Sequence, residues 1–152
     1  MKLSRWFFAI AILFAAAPAL AESPMTGTWN VVDAKTGPWY DGNGAKPDID
    51  PELAHAKIVL TNTSVQGPSA VGCAKVKFTV STVPPEYLFQ GVLKNPKKDA
   101  AALGFKSEKI TSVNEGCIRS DADMEMDFAL IDKDTAVFGL NNVVYTMKRV
   151  AP

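Results

Sequence analysis

Apolar and polar residues alternate through the C-terminal part of the chain. From Met124 to Leu130, every second side chain is methionine, phenylalanine or leucine, whereas Glu125 and Asp127 lie between them. A period of two is typical of a β-strand with one buried face. The alternation returns in residues 136–140 and 143–147, so this segment predicts three consecutive strands.

Polar turns separate these three strands. Residues 132–134 supply aspartate and lysine after the first strand. Asn141 and Asn142 follow the second strand, and asparagine adopts positive φ at a lower cost than most residues, which suits a hairpin turn. Two successive hairpins form a meander, and its apolar face requires further sheet to cover it.

Further strands with the same period are predicted upstream of the meander. Their inward-facing residues are Trp29 and Val31 in residues 27–35, Ile58 and Leu60 in residues 54–66, and Val76, Phe78 and Val80 in residues 73–82. Residues 106–115 form a further, weaker strand. About eight short strands with turns between them predict an all-β domain, either a small antiparallel up-and-down barrel or a sandwich.

One short helix is predicted between Asn95 and Gly104. Asn95 suits the N-cap, Pro96 the first helical position, and Gly104 the left-handed residue that ends a helix. We expect this helix to close one end of the barrel or to lie across a sheet edge.

A long loop over residues 36–52 contains two aromatic residues that no strand accounts for, Trp39 and Tyr40. Loops of this length in a compact domain are often functional. Part of the loop has the spacing of a calcium-binding loop, but Lys46 stands where the sharp turn requires glycine, so we predict no metal site here.

A second irregular segment, residues 84–91, begins with two prolines, which prevent regular strand pairing. One interpretation is an edge strand or short turn that packs Leu88 under the sheet. The other places Tyr87 or Phe89 at the mouth of a pocket together with Trp39.

The first 21 residues have the pattern of a secretory signal peptide. Lys2 and Arg5 precede an apolar run, and small residues follow up to Ala21. The apolar run is short for a membrane span, and Pro18 interrupts it. We therefore expect cleavage after Ala21, a periplasmic or secreted location, and one domain over residues 22–152.

The charge of the exported chain is close to balanced. Without Lys2 and Arg5, 14 basic residues stand against 16 acidic ones, a net charge of about −2. No basic stripe remains to attract nucleic acid. No later segment is apolar enough to span a membrane. We also expect the protein to be a monomer.

The two cysteines, Cys73 and Cys117, are most simply a disulfide in an exported chain. Such a bond would contribute about 3–4 kcal/mol by the chain-entropy argument. A metal site is the alternative, but two thiols and the single histidine, His55, make a small ligand set.

No established catalytic motif is present in the sequence. It contains no phosphate-binding glycine loop, no Ser-His-Asp set and no Cys-x-x-Cys pair. We therefore predict neither catalytic residues nor a cofactor, and a protein that is not an enzyme.

Residues Gly27-Thr28-Trp29, together with the terminal meander, the leader and one disulfide, resemble small exported bacterial calycin or lipocalin-like proteins. In that group the tryptophan closes one end of a β-barrel. The whole chain is similar to an uncharacterised bacterial family, typified by residues 83–91 and 134–138. The resemblance implies a barrel and an exported location, and it implies no activity.

Two functions are compatible with these expectations. The first is a binding protein that holds a small apolar or amphipathic ligand at the open end of the barrel, with Trp39, Tyr40, Tyr87 and Phe89 as the binding residues. The second is a periplasmic inhibitor of a protease or lysozyme, which enters the hydrolase through residues 22–25 or the loop 37–51.

Overall fold

A computed structural model describes residues 22–44, 47–117 and 124–151. The predicted signal peptide, residues 1–21, lies outside the described residues, so it stays a prediction. Within the described ranges, no helix is both long enough and apolar enough to cross a membrane.

The described chain is mostly antiparallel β-sheet, with two short helical segments. The strands are β1 Gly27–Thr36, β2 Lys57–Leu60, β3 Val65–Gln66, β4 Val76–Val83, β5 Ile110–Cys117, β6 Met124–Asp132, β7 Thr135–Leu140 and β8 Val143–Arg149. A kinked 3₁₀ segment spans Pro85–Gly91 and helix α1 spans Pro96–Ala102.

The eight strands form one sheet in the order β3-β2-β1-β8-β7-β6-β5-β4. Because β1 pairs with β8 as well as with β2, the sheet curls into a nearly closed up-and-down barrel. Among the described residues, the backbone contacts across the seam between β3 and β4 are an isolated bridge between Val65 and Cys73 and a hydrogen bond from the Val76 N–H to the Thr63 carbonyl. The predicted barrel is confirmed.

Aromatic side chains fill the interior of the barrel. Phe138 stacks on Tyr145, with ring centroids 5.0 Å apart, and Phe128 meets the edge of Phe138 at 5.6 Å. Trp29 and Leu53 are fully buried in the same cluster. The burial of each such side chain stabilises the fold by roughly 1.5–3 kcal/mol. The interior is therefore a packed core.

The predicted meander is confirmed, together with its turns. Phe128, Phe138, Tyr145 and Met147 are all buried in the interior. Asn141 and Asn142 have φ of 50° and 62°, as the hairpin between β7 and β8 requires.

A second apolar cluster covers the outer face of the sheet. Leu88 from the 3₁₀ segment and Ala100 from α1 join Ala129, Val137 and Val144, whose side chains point away from the interior. The expectation that the helix closes a barrel end or lies across an edge is therefore wrong. Helix α1 covers the outer face because both faces of β7 are apolar and need to be buried. Four consecutive residues of β7 are buried: Thr135, Ala136, Val137 and Phe138.

Helix α1 begins at Pro96 and ends before Gly104, as the sequence predicts, but its first turn is tied differently. Gly104 has φ of 102°, and the Phe105 N–H donates to the Ala100 carbonyl at 3.0 Å. The Asn95 side chain makes no capping hydrogen bond. Instead its backbone N–H donates to the Asp99 carboxylate at 2.9 Å, which ties the first turn together.

Two strand predictions need correction near the seam. Residues 54–66 contain two short strands, β2 and β3, with a turn between them. Val80 was predicted to face a covered interior, yet its side chain is 50% exposed. It pairs with buried Val113 on β5, but no strand flanks β4 on the other side beyond the seam contacts, and Val80 stays accessible to solvent.

The disulfide between Cys73 and Cys117 is confirmed, with a Cα–Cα distance of 5.9 Å. Both cysteines are buried, and Cys73 also forms the backbone bridge to Val65. The disulfide therefore fastens the end of β5 to the seam, where few backbone hydrogen bonds join the strands.

Candidate functional site

The structure brings together two of the four predicted binding residues, Trp39 and Phe89. Their ring centroids lie 5.0 Å apart at an angle of 40°. Both rings pack against the outer cluster rather than the interior. A Cβ atom built on Gly139 would lie 2.9 Å from Phe89 Cδ1, so the missing side chain in β7 makes room for the ring.

Trp39 is held in place from three sides. A Cβ atom on Gly37 would lie 2.5 Å from the Trp39 ring, and one on Gly139 would lie 3.3 Å from it. The indole N–H donates to the Asn142 side-chain oxygen at 2.9 Å. The Gly37 N–H donates to the Asn142 carbonyl at 2.7 Å, which fixes the start of the loop to the β7–β8 turn.

Phe89 reaches its position through an unfavourable backbone conformation. Phe89 and Gln90 have φ of 50° and 60°, in the left-handed region. That region costs about 1–2 kcal/mol for each ordinary L-residue. Backbone strain of this kind is typical of functional sites, where the surrounding structure enforces it.

The four non-glycine residues at positive φ in the described ranges are Phe89, Gln90, Asn141 and Asn142. All four line a single pocket of about 360 Å³. The hairpin turn accounts for the two asparagines. A similar turn accounts for Gln90, because Gln90 and Gly91 both have positive φ and the Val92 N–H donates to the Phe89 carbonyl at 3.4 Å. Phe89 precedes the two central residues of that turn, so the turn does not require its positive φ.

The pocket lies where two neighbouring strands separate. The ladder between β6 and β7 stops at Phe128 and Phe138, so residues 125–127 and 139–142 do not pair with each other. These two stretches form one side of the pocket. The remaining lining residues are Trp39, Phe89, Gln90 and Val92.

The other two predicted binding residues do not line this pocket. Tyr87 is 70% exposed, and Tyr40 is half-buried with its backbone N–H bonded to the Gly37 carbonyl. Sequence analysis missed Glu125, Asp127 and Gly139 as lining residues. A glycine within a strand often marks a close approach, so Gly139 carried a usable signal.

Acidic groups give the pocket its charge. Glu125 and Asp127 line it from β6, and the Asp127 carboxylate accepts a hydrogen bond from the Asn114 side-chain amide at 3.0 Å. Among the described residues that line it, none is lysine, arginine or histidine. Nearby Lys94 lies 3.7 Å from the Asp41 carboxylate and is not among the lining residues.

Other candidate chemistry lies outside the pocket. Glu115 and the sulfurs of Cys73 and Cys117 lie within 4.8 Å of one another, but each sulfur is bonded to the other and supplies no thiolate to a metal. His55 is exposed in the turn before β2. The absence of catalytic residues and cofactors stays a prediction.

Asp41, in the calcium-like part of the loop, has a local role. Its carboxylate accepts the Asn43 backbone N–H at 3.0 Å. That hydrogen bond and the positive charge of Lys94 hold the pKa of Asp41 below its ordinary value.

Comparison with protein-family models, with curated proteins and with solved structures finds no match for this chain. The fold and the pocket therefore define only a general class, a small all-β barrel with an aromatic and acidic pocket on its outer surface.

Proposed function

We propose that this chain is an exported, non-enzymatic binding protein that holds a small amphipathic ligand in the pocket beside Trp39 and Phe89. The observation that carries the proposal is the left-handed backbone of Phe89, whose ring lines the pocket beside Trp39. A chain keeps strain of this cost where the geometry serves a purpose, and here it holds Phe89 against Trp39.

The position of the pocket changes the expected mode of binding. The sequence suggested a ligand at the open end of the barrel, whereas the interior is packed with Phe128, Phe138 and Tyr145. The outer pocket is of the size that small molecules occupy. The proposed binding surface therefore lies between β6, β7 and the 3₁₀ segment.

The exported location is part of the proposal. A buried disulfide is compatible with an oxidising compartment. The leader pattern of residues 1–21 supports the same location, and a calycin or lipocalin-like relationship remains a hypothesis that the barrel topology is compatible with.

The inhibitor function has weaker support. Met25 is fully buried, and the carbonyls of Pro24 and Thr26 each accept a hydrogen bond from Arg149. Trp39 in the loop is held by Asn142. These contacts hold residues 24–26 and the start of the loop against the barrel, so neither of these parts is presented to another protein.

Native mass spectrometry on the protein gently purified from its own host tests the binding function. We expect a reproducible small added mass on the natural chain and its loss from a Trp39→Ala/Phe89→Ala variant. Tyr87→Ala is the matched control, because this exposed aromatic does not line the pocket. An added mass that the double variant keeps while folded would refute the proposed site, and a co-purified hydrolase would favour the inhibitor.

A further inference from the structure

If the proposed function is correct, the side chains that line the pocket also indicate the charge of the ligand that it binds. Two carboxylates, Glu125 and Asp127, occur in the lining together with the rings of Trp39 and Phe89. The other polar lining side chains are the amides of Gln90, Asn141 and Asn142, and no cationic side chain lines the pocket in the part of the chain that the structure describes.

Among the described residues, no charged side chain lies directly opposite either carboxylate on the neighbouring strand. In the β5–β6 ladder, Glu125 lies opposite Gly116 and Asp127 lies opposite Asn114, and neither partner is charged. On the other side of β6 the ladder to β7 has already ended, so the pocket itself flanks these residues. Their negative charge is therefore directed at whatever occupies the pocket.

The aromatic rings favour the same sign of charge. The face of an indole or phenyl ring attracts a cation, and tryptophan does so most strongly. Trp39 is also rigidly held by Gly37, Gly139 and Asn142, so it loses little conformational freedom on binding. A neutral apolar ligand would remove water from the carboxylates without replacing it, and an anion would be repelled.

We propose that the pocket binds a small organic cation with an apolar body, such as an alkylated or quaternary amine. The ammonium head lies between the ring faces and the carboxylates of Glu125 and Asp127. The apolar part contacts Val92 and Leu140, which also line the pocket.

Three probes with the same apolar tail test this assignment: hexyltrimethylammonium, hexan-1-ol and hexanoate. Binding is measured by titration calorimetry and by Trp39 fluorescence, at low and at high salt. We expect the cation to bind about tenfold more tightly than the alcohol, with hexanoate weakest. Added salt should weaken cation binding and leave alcohol binding unchanged.

The variant Glu125→Gln/Asp127→Asn removes the two negative charges of the pocket and keeps side chains of nearly the same size and shape. We expect it to reduce cation affinity about tenfold while alcohol affinity stays the same. Asp48→Asn/Glu52→Gln is the matched control, because it removes the same charge from two exposed positions outside the lining. We expect it to bind the cation as the natural chain does.

The possible results show whether the cation assignment alone fails or whether the proposed binding function fails as well. Equal affinity for the cation and the alcohol, lost together in Trp39→Ala/Phe89→Ala, would overturn the cation assignment and leave a general apolar pocket. Unchanged cation affinity in Glu125→Gln/Asp127→Asn would also overturn it. If none of the three probes binds at millimolar concentration, both the assignment and the proposed function fail.

Discussion

The guanidinium carbon of Arg149 lies 4.1 Å from the centre of the Trp29 ring. The two residues are also register partners, because Trp29 on β1 lies opposite Arg149 on β8. Arg149 donates to the carbonyls of Thr26 and Pro24 at 2.6 Å each. One side chain thus joins the last strand, the first strand and the segment before it.

Arg149→Lys should destabilise the protein although it keeps the positive charge. A lysine cannot hold two carbonyls and cover an indole ring with one rigid group. We expect a loss of roughly 2 kcal/mol, since charge-assisted hydrogen bonds contribute about 1.5–3 kcal/mol each and are not additive. Urea unfolding measures the loss. Lys35→Arg is the control, because Lys35 is exposed and pairs only with Asp33 in the described contacts. Equal stability of Arg149→Lys and the natural chain would refute this role.

Gly27→Ala should be more harmful than an alanine at another glycine with positive φ. Gly27 has φ of 132°, and a Cβ atom there would lie 2.8 Å from Arg149 Nη1. Gly42 has φ of 85° with nothing within 4 Å of its Cβ position, so Gly42→Ala reports backbone strain alone. We expect about 1 kcal/mol from strain at Gly42 and a larger loss at Gly27. Thermal unfolding compares the two variants, and equal losses would contradict the clash with Arg149.

Gln90→Gly should stabilise the fold. Gln90 has φ of 60° and an exposed side chain, so glycine removes strain without removing buried contacts. We expect a gain of up to about 1 kcal/mol in the free energy of unfolding. Gln66→Gly is the control, because Gln66 lies in β3 and glycine weakens a strand. A loss of stability in Gln90→Gly would mean that the side chain makes contacts worth more than the strain.

Alkaline pH should destabilise the protein through Tyr145. Burial, the main cause, raises the pKa of the Tyr145 hydroxyl above its ordinary value of 10.0, although the Asp50 backbone hydrogen bond lowers it. The unfolded chain therefore ionises first. Stability should be constant below about pH 10 and fall as pH rises from there towards the folded-state pKa.

Tyr145→Phe tests this dependence. It loses the hydrogen bond that the Tyr145 oxygen accepts from the Asp50 N–H at 3.2 Å, which costs about 1 kcal/mol at pH 7. Above pH 10 the variant should lose less stability than the natural chain, so the two unfolding free energies converge. Exposed Tyr87→Phe should keep the natural dependence. Parallel curves for Tyr145→Phe and the natural chain would contradict the assignment.

Much of the barrel follows from local features of the sequence. The alternation in β6, β7 and β8 depends on which side chains need burial, and the Asn141-Asn142 turn depends on backbone preferences. The pairing of Cys73 with Cys117 follows from their number alone. These features act within one strand, one turn or one pair of residues.

Part of the candidate site could also be anticipated. One of the two interpretations of residues 84–91 placed Phe89 with Trp39, because both are aromatic residues in long irregular segments, and the structure brings the two rings together. Alternation places Glu125 and Asp127 on the outward face of β6, opposite to its buried apolar residues. The alternation was correct, but it could not reveal that the neighbouring β7 separates from β6 at that point.

The sequence by itself determined most of the strands, the hairpins of the terminal meander, the helix and the disulfide. Each of these features depends on the residues within it, and the disulfide depends on the presence of two cysteines. Only the tertiary structure decided that α1 covers the outer face, that Val80 is exposed at the seam and that Arg149 covers Trp29. It also decided that the pocket lies outside the barrel. These features depend on how distant segments pack to exclude water from both faces of β7, and no local pattern contains that information.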